Sequence, residues 1–139
     1  MPSAKHFLDT NVLLYAVSRH PSEADKTTRA AQLLAQPDWG ISVQVVQEFF
    51  YNATVKLERP MTREEAVRFL EPFLRLEVVP IRLELFRNAC RVSARYQISY
   101  WDAAIISAAK ELGAAIVYSE DLAHGQSYEG VTVVNPFLS

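Results

Sequence analysis

The sequence predicts an α/β protein, a three-layer α/β/α sandwich built on a central parallel sheet of about five strands. Two observations predict it. Short apolar runs alternate along the chain with segments of helical periodicity. Strands joined in that way need crossover connections, and crossovers make parallel sheets with helices on both faces. In addition, the segment WDAAIISAA near the C-terminal end is too apolar for a surface helix, so it has to pack inside.

The elements follow in order. Residues 5–8 form a first short strand that ends at Asp9-Thr10-Asn11, where an apolar helical pattern begins with Val12, Leu13, Tyr15 and Ala16. Pro21-Ser22 breaks it, and a second helix is expected over 23–35, stopped by Gln36-Pro37-Asp38. Residues 39–43 are a strand candidate. Val45, Val46, Phe49, Phe50, Ala53 and Leu57 then repeat at helical spacing. Thr62 followed by Glu65 is a capping-box signature for a helix reaching Leu74. Residues 77–81 predict a strand, and Leu83, Phe86, Ala89, Cys90 and Ala94 the apolar stripe of a further helix. The helix over 101–112 is closed by Gly113, and 115–118 and 131–134 are the last two strands.

The 139 residues fit one domain, 1–139, and no repeat, low-complexity tract or linker interrupts them. Half the residues are hydrophobic and 22% charged, ordinary for a globular protein with a real core. The opening MPSAKHFLDT lacks a signal peptide's apolar stretch, and no run approaches the roughly 18 apolar residues of a membrane span. Cys90 is the single cysteine, so it is expected to be inert packing in a reducing, cytoplasmic setting. A net charge of −2 and a pI near 5.9 argue against a simple phosphate-neutralising surface. That balance favours a small-molecule enzyme or a protein-binding module unless specific residues outweigh it.

Ligands of open parallel sheets bind beyond the carboxyl ends of the strands. Asp9 closes the first strand, and Ser119-Glu120-Asp121 closes the fourth, which brings those acids to one sheet edge. Asp102 lies in the first turn of the apolar helix, and Glu48 lies beside an apolar stripe. Each has a plain structural explanation. Asp9 suits a helix N-cap, Ser99-x-x-Asp102 fits a capping pattern, Glu48 suits a solvated face, and Glu120 and Asp121 suit a turn. The arginines at 63, 68, 75, 82, 87, 91 and 95, interleaved with glutamates, fit a solvated face, and Tyr15, Phe49, Phe50 and Trp101 fit a core.

Convergence of the four acids would be costly without compensation. Two like charges about 4 Å apart repel by roughly 4 kcal/mol at an effective dielectric near 20. An all-oxygen set suits Mg2+ or Mn2+, whereas zinc prefers Cys and His, and His6, His20 and His124 show no zinc spacing. Such an ion suggests phosphoryl chemistry and would supply positive charge that the composition lacks.

Taken in order, FLDTNVLLYA, VQEFF, SYWDAAIISAA and IVYSEDLAHGQ followed by VTVVNPF resemble the PIN-domain family of Mg2+-dependent ribonucleases, especially the toxins of VapBC-type toxin–antitoxin pairs. The resemblance spans Phe7 to Phe137. It implies a metal site formed by Asp9, Glu48, Asp102 and Asp121, with Asn11 and Ser119 supporting it and Glu120 an uncertain neighbour. It also implies hydrolysis of RNA to 5′-phosphate and 3′-hydroxyl ends, a homodimer, and a small antitoxin partner. Two alternatives stand beside it. A haloacid-dehalogenase-like phosphatase would need a second Asp where Asn11 stands. A non-catalytic module that binds RNA or protein would suit the acidic pI.

Overall fold

Phe7 and Leu8 are fully buried at the centre of the computed structural model, which describes residues 6–138. They belong to β1 (His6–Leu8); Lys5, expected to open this strand, lies outside the described residues. β2 (Trp39–Ser42) pairs with β1 on one side, and β3 (Val78–Val79) follows outward. β4 (Ile116–Tyr118) pairs with β1 on the other side and β6 (Val131–Val134) pairs with β4. All of these pairings are parallel. The sixth strand, β5 (Ser127–Tyr128), adds antiparallel to β6, so the sheet order is β3-β2-β1-β4-β6-β5.

The count of about five strands therefore becomes six, and the sheet is mixed. β5 has two residues, too few for any periodicity, and it exists because Glu129 and Gly130, both at positive φ, turn the chain back against β6. The strand expected over 77–81 shrinks to Val78–Val79, because Pro80 has no N–H to extend the ladder.

Among the described residues six α-helices cover the sheet: α1 (Thr10–Val17), α2 (Ala24–Ala35), α3 (Val43–Tyr51), α4 (Arg63–Leu70), α5 (Leu83–Tyr96) and α6 (Tyr100–Leu112). Ser42 caps α3, its side chain accepting from the Val45 N–H at 3.3 Å. Past Tyr51 the helix widens into a π turn over Asn52–Lys56, where a continuous helix to Leu57 was expected. Thr62 and Glu65 close the capping box of α4 with reciprocal bonds of 3.1 and 2.9 Å. α4 ends at Leu70 rather than Leu74, since Pro72 cannot continue it; a 3-10 turn, Phe73–Arg75, follows.

α6 is the central helix. Ala103, Ala104, Ile105, Ile106, Ala108 and Ala109 are all buried, and Gly113 at φ 86° ends it in the left-handed region. Its Leu112 packs so closely on β2 that a Cβ on Gly40 would meet Leu112 Cδ2 and the Glu77 carbonyl oxygen at 2.8 Å each.

The stripe expected for α5 is displaced. Leu85, Ala89 and Val92 face the core, while Leu83, Phe86 and Cys90 point outward. Leu83 and Phe86 were expected inside, and Cys90 is not buried packing. Periodicity alone cannot separate two adjacent stripes when both are apolar.

Candidate active site

β1 is the strand from which the chain departs to both sides, so the crevice of this sheet lies beyond the carboxyl ends of β1 and β4. Asp9 stands at that point. It caps α1 in extended conformation, with Oδ1 accepting from the Thr10 N–H at 2.7 Å, and it is only 7% exposed. Its other oxygen, Oδ2, accepts from the Ser119 hydroxyl at 2.8 Å. The N-cap explanation is thus correct, yet one carboxylate oxygen is turned toward the neighbouring strand.

Ser119 is fully buried and organises this edge. Its Oγ also accepts from the Asp121 N–H at 3.1 Å and from Asn11 Nδ2 at 3.2 Å. Asn11 in turn donates to Asp121 Oδ2 at 3.3 Å and accepts from the Glu120 N–H at 3.1 Å. Asn11 and Ser119 therefore lace the end of β1 to the loop after β4.

Glu48 arrives from α3. Thr10 Oγ1 donates to its Oε1 at 2.7 Å, and Gln44 Nε2 lies 3.4 Å from Oε2. Thr10 carries no signal of this role in the sequence, because its orienting bond reaches an acid 38 residues away. Asp102 lies in the first turn of α6, its N–H donating to the Ser99 hydroxyl at 3.1 Å. Ser99 is thus the helix cap, and Asp102 lines the cleft.

Asp9, Glu48, Asp102 and Asp121 line one cleft of about 300 Å³, together with Asn11, Gln44, Asn52 and Trp101. Among the described residues no lysine or arginine lines it. The Asp9 carboxyl is pushed up to about 6, chiefly by burial against the opposing bonds from Ser119 and Thr10, with Glu48 and Asp121 adding repulsion. Burial also raises Asp102 against the Ser99 hydroxyl, and Asp121 and Glu48 raise it further. The acids sense one another across the cleft.

Glu120 takes no part. It turns away to Lys26 and to the Tyr15 hydroxyl, each at 2.5 Å. Trp101 was expected in the core, but it is 64% exposed at the rim of the cleft. Among the described residues no three His, Cys, Asp or Glu side chains form a ready-made metal cage. The donor set nevertheless fits a hard divalent cation: it is all oxygen, it contains a buried carboxylate of raised pKa, and nothing basic offsets it. Asp102 is half-buried and Asp121 exposed, so both are open to solvent at the cleft.

Among the described residues no helix is long and apolar enough to cross a membrane. No curated protein matches the chain. Among solved structures it is similar to a toxin–antitoxin complex from Klebsiella pneumoniae, with a TM-score of 0.70 at 18% identity, covering 96% of this chain and 98% of the other. It is also similar to VapC20 of Mycobacterium tuberculosis, a sarcin–ricin-loop-cleaving toxin, with a TM-score of 0.67 at 18% identity over 84% and 90% of the two chains. VapBC2 from Rickettsia felis bound to a promoter DNA fragment gives a TM-score of 0.62 at 21% identity over 92% and 96%. The family model for the PIN domain matches residues 6–126, and with the mostly parallel, helix-flanked sheet and the acids at its switch point, the chain belongs to the PIN-domain family.

Proposed function

We propose that the protein is a Mg2+-dependent endoribonuclease, the toxin of a toxin–antitoxin pair, and that residues 1–139 act as one nuclease domain. The observation that carries this reading is the cleft: four carboxylates from four separate elements line it with no cation beside them. Such an arrangement is electrostatically unfavourable by itself and has no use in a module that merely binds an anionic ligand.

Asp9, Asp102 and Asp121 would hold the ion, with Glu48 completing the set; Mn2+ has the same donor preference. A bound divalent ion supplies charge neutralisation and water activation to phosphodiester hydrolysis. The remaining residues prepare the acids. Ser119 fixes Asp9, Asn11 fixes Asp121, and Thr10 with Gln44 fixes Glu48, so that these three carboxylates are oriented before substrate arrives. Trp101 offers an exposed aromatic face beside them, suited to an unpaired base. The phosphatase alternative loses further ground, because Asn11 is committed to three hydrogen bonds and cannot serve as a general acid.

The toxin–antitoxin neighbours support a small protein antitoxin as partner. A homodimer is supported by the exposed apolar residues Ile81, Leu83 and Phe86, which a soluble monomer would leave in water. The test is cleavage of RNA by the purified protein with Mg2+, blocked by EDTA and leaving 5′-phosphate ends. Asp9→Asn or Asp121→Asn is expected to abolish cleavage with the fold intact. Wild-type rates in either variant would sink the assignment.

A further inference from the structure

A second cleft, of about 340 Å³, lies where α1 ends and the π turn ends. Arg19, His20, Lys56 and Arg59 line it, with Glu23 and Glu58. Both glutamates are engaged locally. Glu23 accepts from the Ser18 hydroxyl, and Glu58 lies 3.8 Å from His20 Nε2. The three long cations differ: among the described residues Arg19, Lys56 and Arg59 have no carboxylate within 4.0 Å. Lys56 instead sits 5.8 Å from the Tyr51 ring centroid. Among the described residues four acids and no base line the first cleft, whereas three cations without a close ion pair line the second.

The two clefts share their walls. Leu14 of α1 and Asn52 of the π turn line the acidic cleft; one helical turn further along the same elements, Ser18 and Lys56 line the basic one. From Asn11 to Ser18, and from Glu48 to Lys56, the separation is roughly 10–12 Å by helical rise. A stacked strand advances about 3.4 Å per nucleotide, so the distance corresponds to about three nucleotides.

We propose that the Arg19–Lys56–Arg59 cleft is a phosphate-binding subsite that grips single-stranded RNA about three nucleotides from the bond placed at the acids. This rests on the ribonuclease reading of the acidic cleft. It also accounts for how a protein of net charge −2 engages a polyanion: the positive charge is local and displaced from the chemistry. The guanidinium groups of Arg19 and Arg59 can each take a phosphate by two parallel N–H bonds, and Lys56 adds a point charge. Arg19, Lys56 and Arg59 are exposed, so their replacement leaves the core untouched.

The experiment has a binding arm and a kinetic arm. In an Asp9→Asn background with EDTA, which prevents cleavage, affinity for a fluorescein-labelled single-stranded RNA 12-mer is measured by anisotropy across a salt series. Adding Lys56→Ala and Arg59→Ala together should weaken binding about tenfold to thirtyfold near 0.1 M salt and reduce the slope of log K against log salt by about 1.4, two contacts at about 0.7 each. Arg75→Ala, on the 3-10 turn after α4, serves as control and should change neither. With the Asp9 carboxylate intact and Mg2+ present, the double variant should raise KM on the 12-mer, and the difference from wild type should shrink as the RNA is shortened below four nucleotides. Unchanged affinity and slope overturn the subsite, even if the double variant loses hold of a protein partner; the cleft would then belong to that protein. A wild-type protein that binds the 12-mer but never cleaves RNA refutes the nuclease reading instead, and the binding arm still decides the subsite.

Discussion

Asp9→Asn should stabilise the metal-free protein while abolishing its activity. The Asp9 carboxyl is buried and its pKa is raised from 3.8 to about 6. The folded state therefore holds this proton more tightly than the unfolded chain does. Between those two values folding takes up a proton, so stability falls as pH rises through the window, and the loss is complete above about pH 6. At about 1.4 kcal/mol per unit, the ionised group costs the folded state about 3 kcal/mol at pH 7.5. Asparagine removes the charge, but its amide N–H groups must fit beside the Ser119 hydroxyl, which offsets about 1–2 kcal/mol. The net gain should be about 1–2 kcal/mol, or about 3–8 °C in Tm for a chain of this size. Calorimetry in EDTA at pH 7.5 measures it. At pH 5 the ionisation cost should fall to about half, narrowing the gap between the two proteins. Mg2+ should raise the wild-type Tm and leave Asp9→Asn nearly unmoved. A variant less stable than wild type in EDTA at pH 7.5 would refute the account of a carboxylate held ionised against its surroundings.

Other perturbations probe the remaining assignments. Glu129, whose side chain is 6% exposed, binds Arg91, Arg95 and Lys110 and accepts from the Tyr96 hydroxyl; Arg91 first and Tyr96 next hold its carboxyl down at about 2. Because that pKa is depressed, the contribution is present above about pH 4.5 and disappears as pH falls toward 2; after allowance for the half-exposed cations, Glu129→Gln should cost about 2 kcal/mol at pH 7 by urea unfolding, and little at pH 2.5. Gly40→Ala pushes a methyl group against the Glu77 carbonyl and Leu112, and should lower stability by about 1–3 kcal/mol in the same assay. Thr10→Val keeps shape but removes the hydrogen bond to Glu48; cleavage should slow about tenfold or more with Tm almost unchanged.

The local signals in the chain were faithful where a short-range rule governs. Thr62 with Glu65, Ser99 before α6 and Gly113 after α6 act through contacts within a few residues, and each appears as caps and stops require; Pro72, equally local, ends α4 at Leu70, short of the expected Leu74. The acids were legible because strand ends and helix starts carry them to one sheet edge. Elements that depend on a distant partner were harder. β5 exists because β6 lies beside it, and the outward face of α5 was mistaken for its core face because both are apolar. Glu120 and Asp121 are adjacent in sequence, yet Lys26 and Tyr15, 94 and 105 residues away, draw Glu120 out of the cleft.

By itself the sequence determined the alternation of strands and helices, the caps, and a pattern that the PIN-domain family model matches over residues 6–126. Tertiary structure alone decided that Ser119 and Asn11 tie two strand ends together, that Thr10 orients Glu48, that Trp101 stands at the rim, and that Arg19, Lys56 and Arg59 line a second cleft. The division has one physical cause. Backbone preferences and periodicity act over one or two turns, whereas the direction of a polar side chain is set by whichever group, however remote in the chain, lies within about 3 Å to satisfy it.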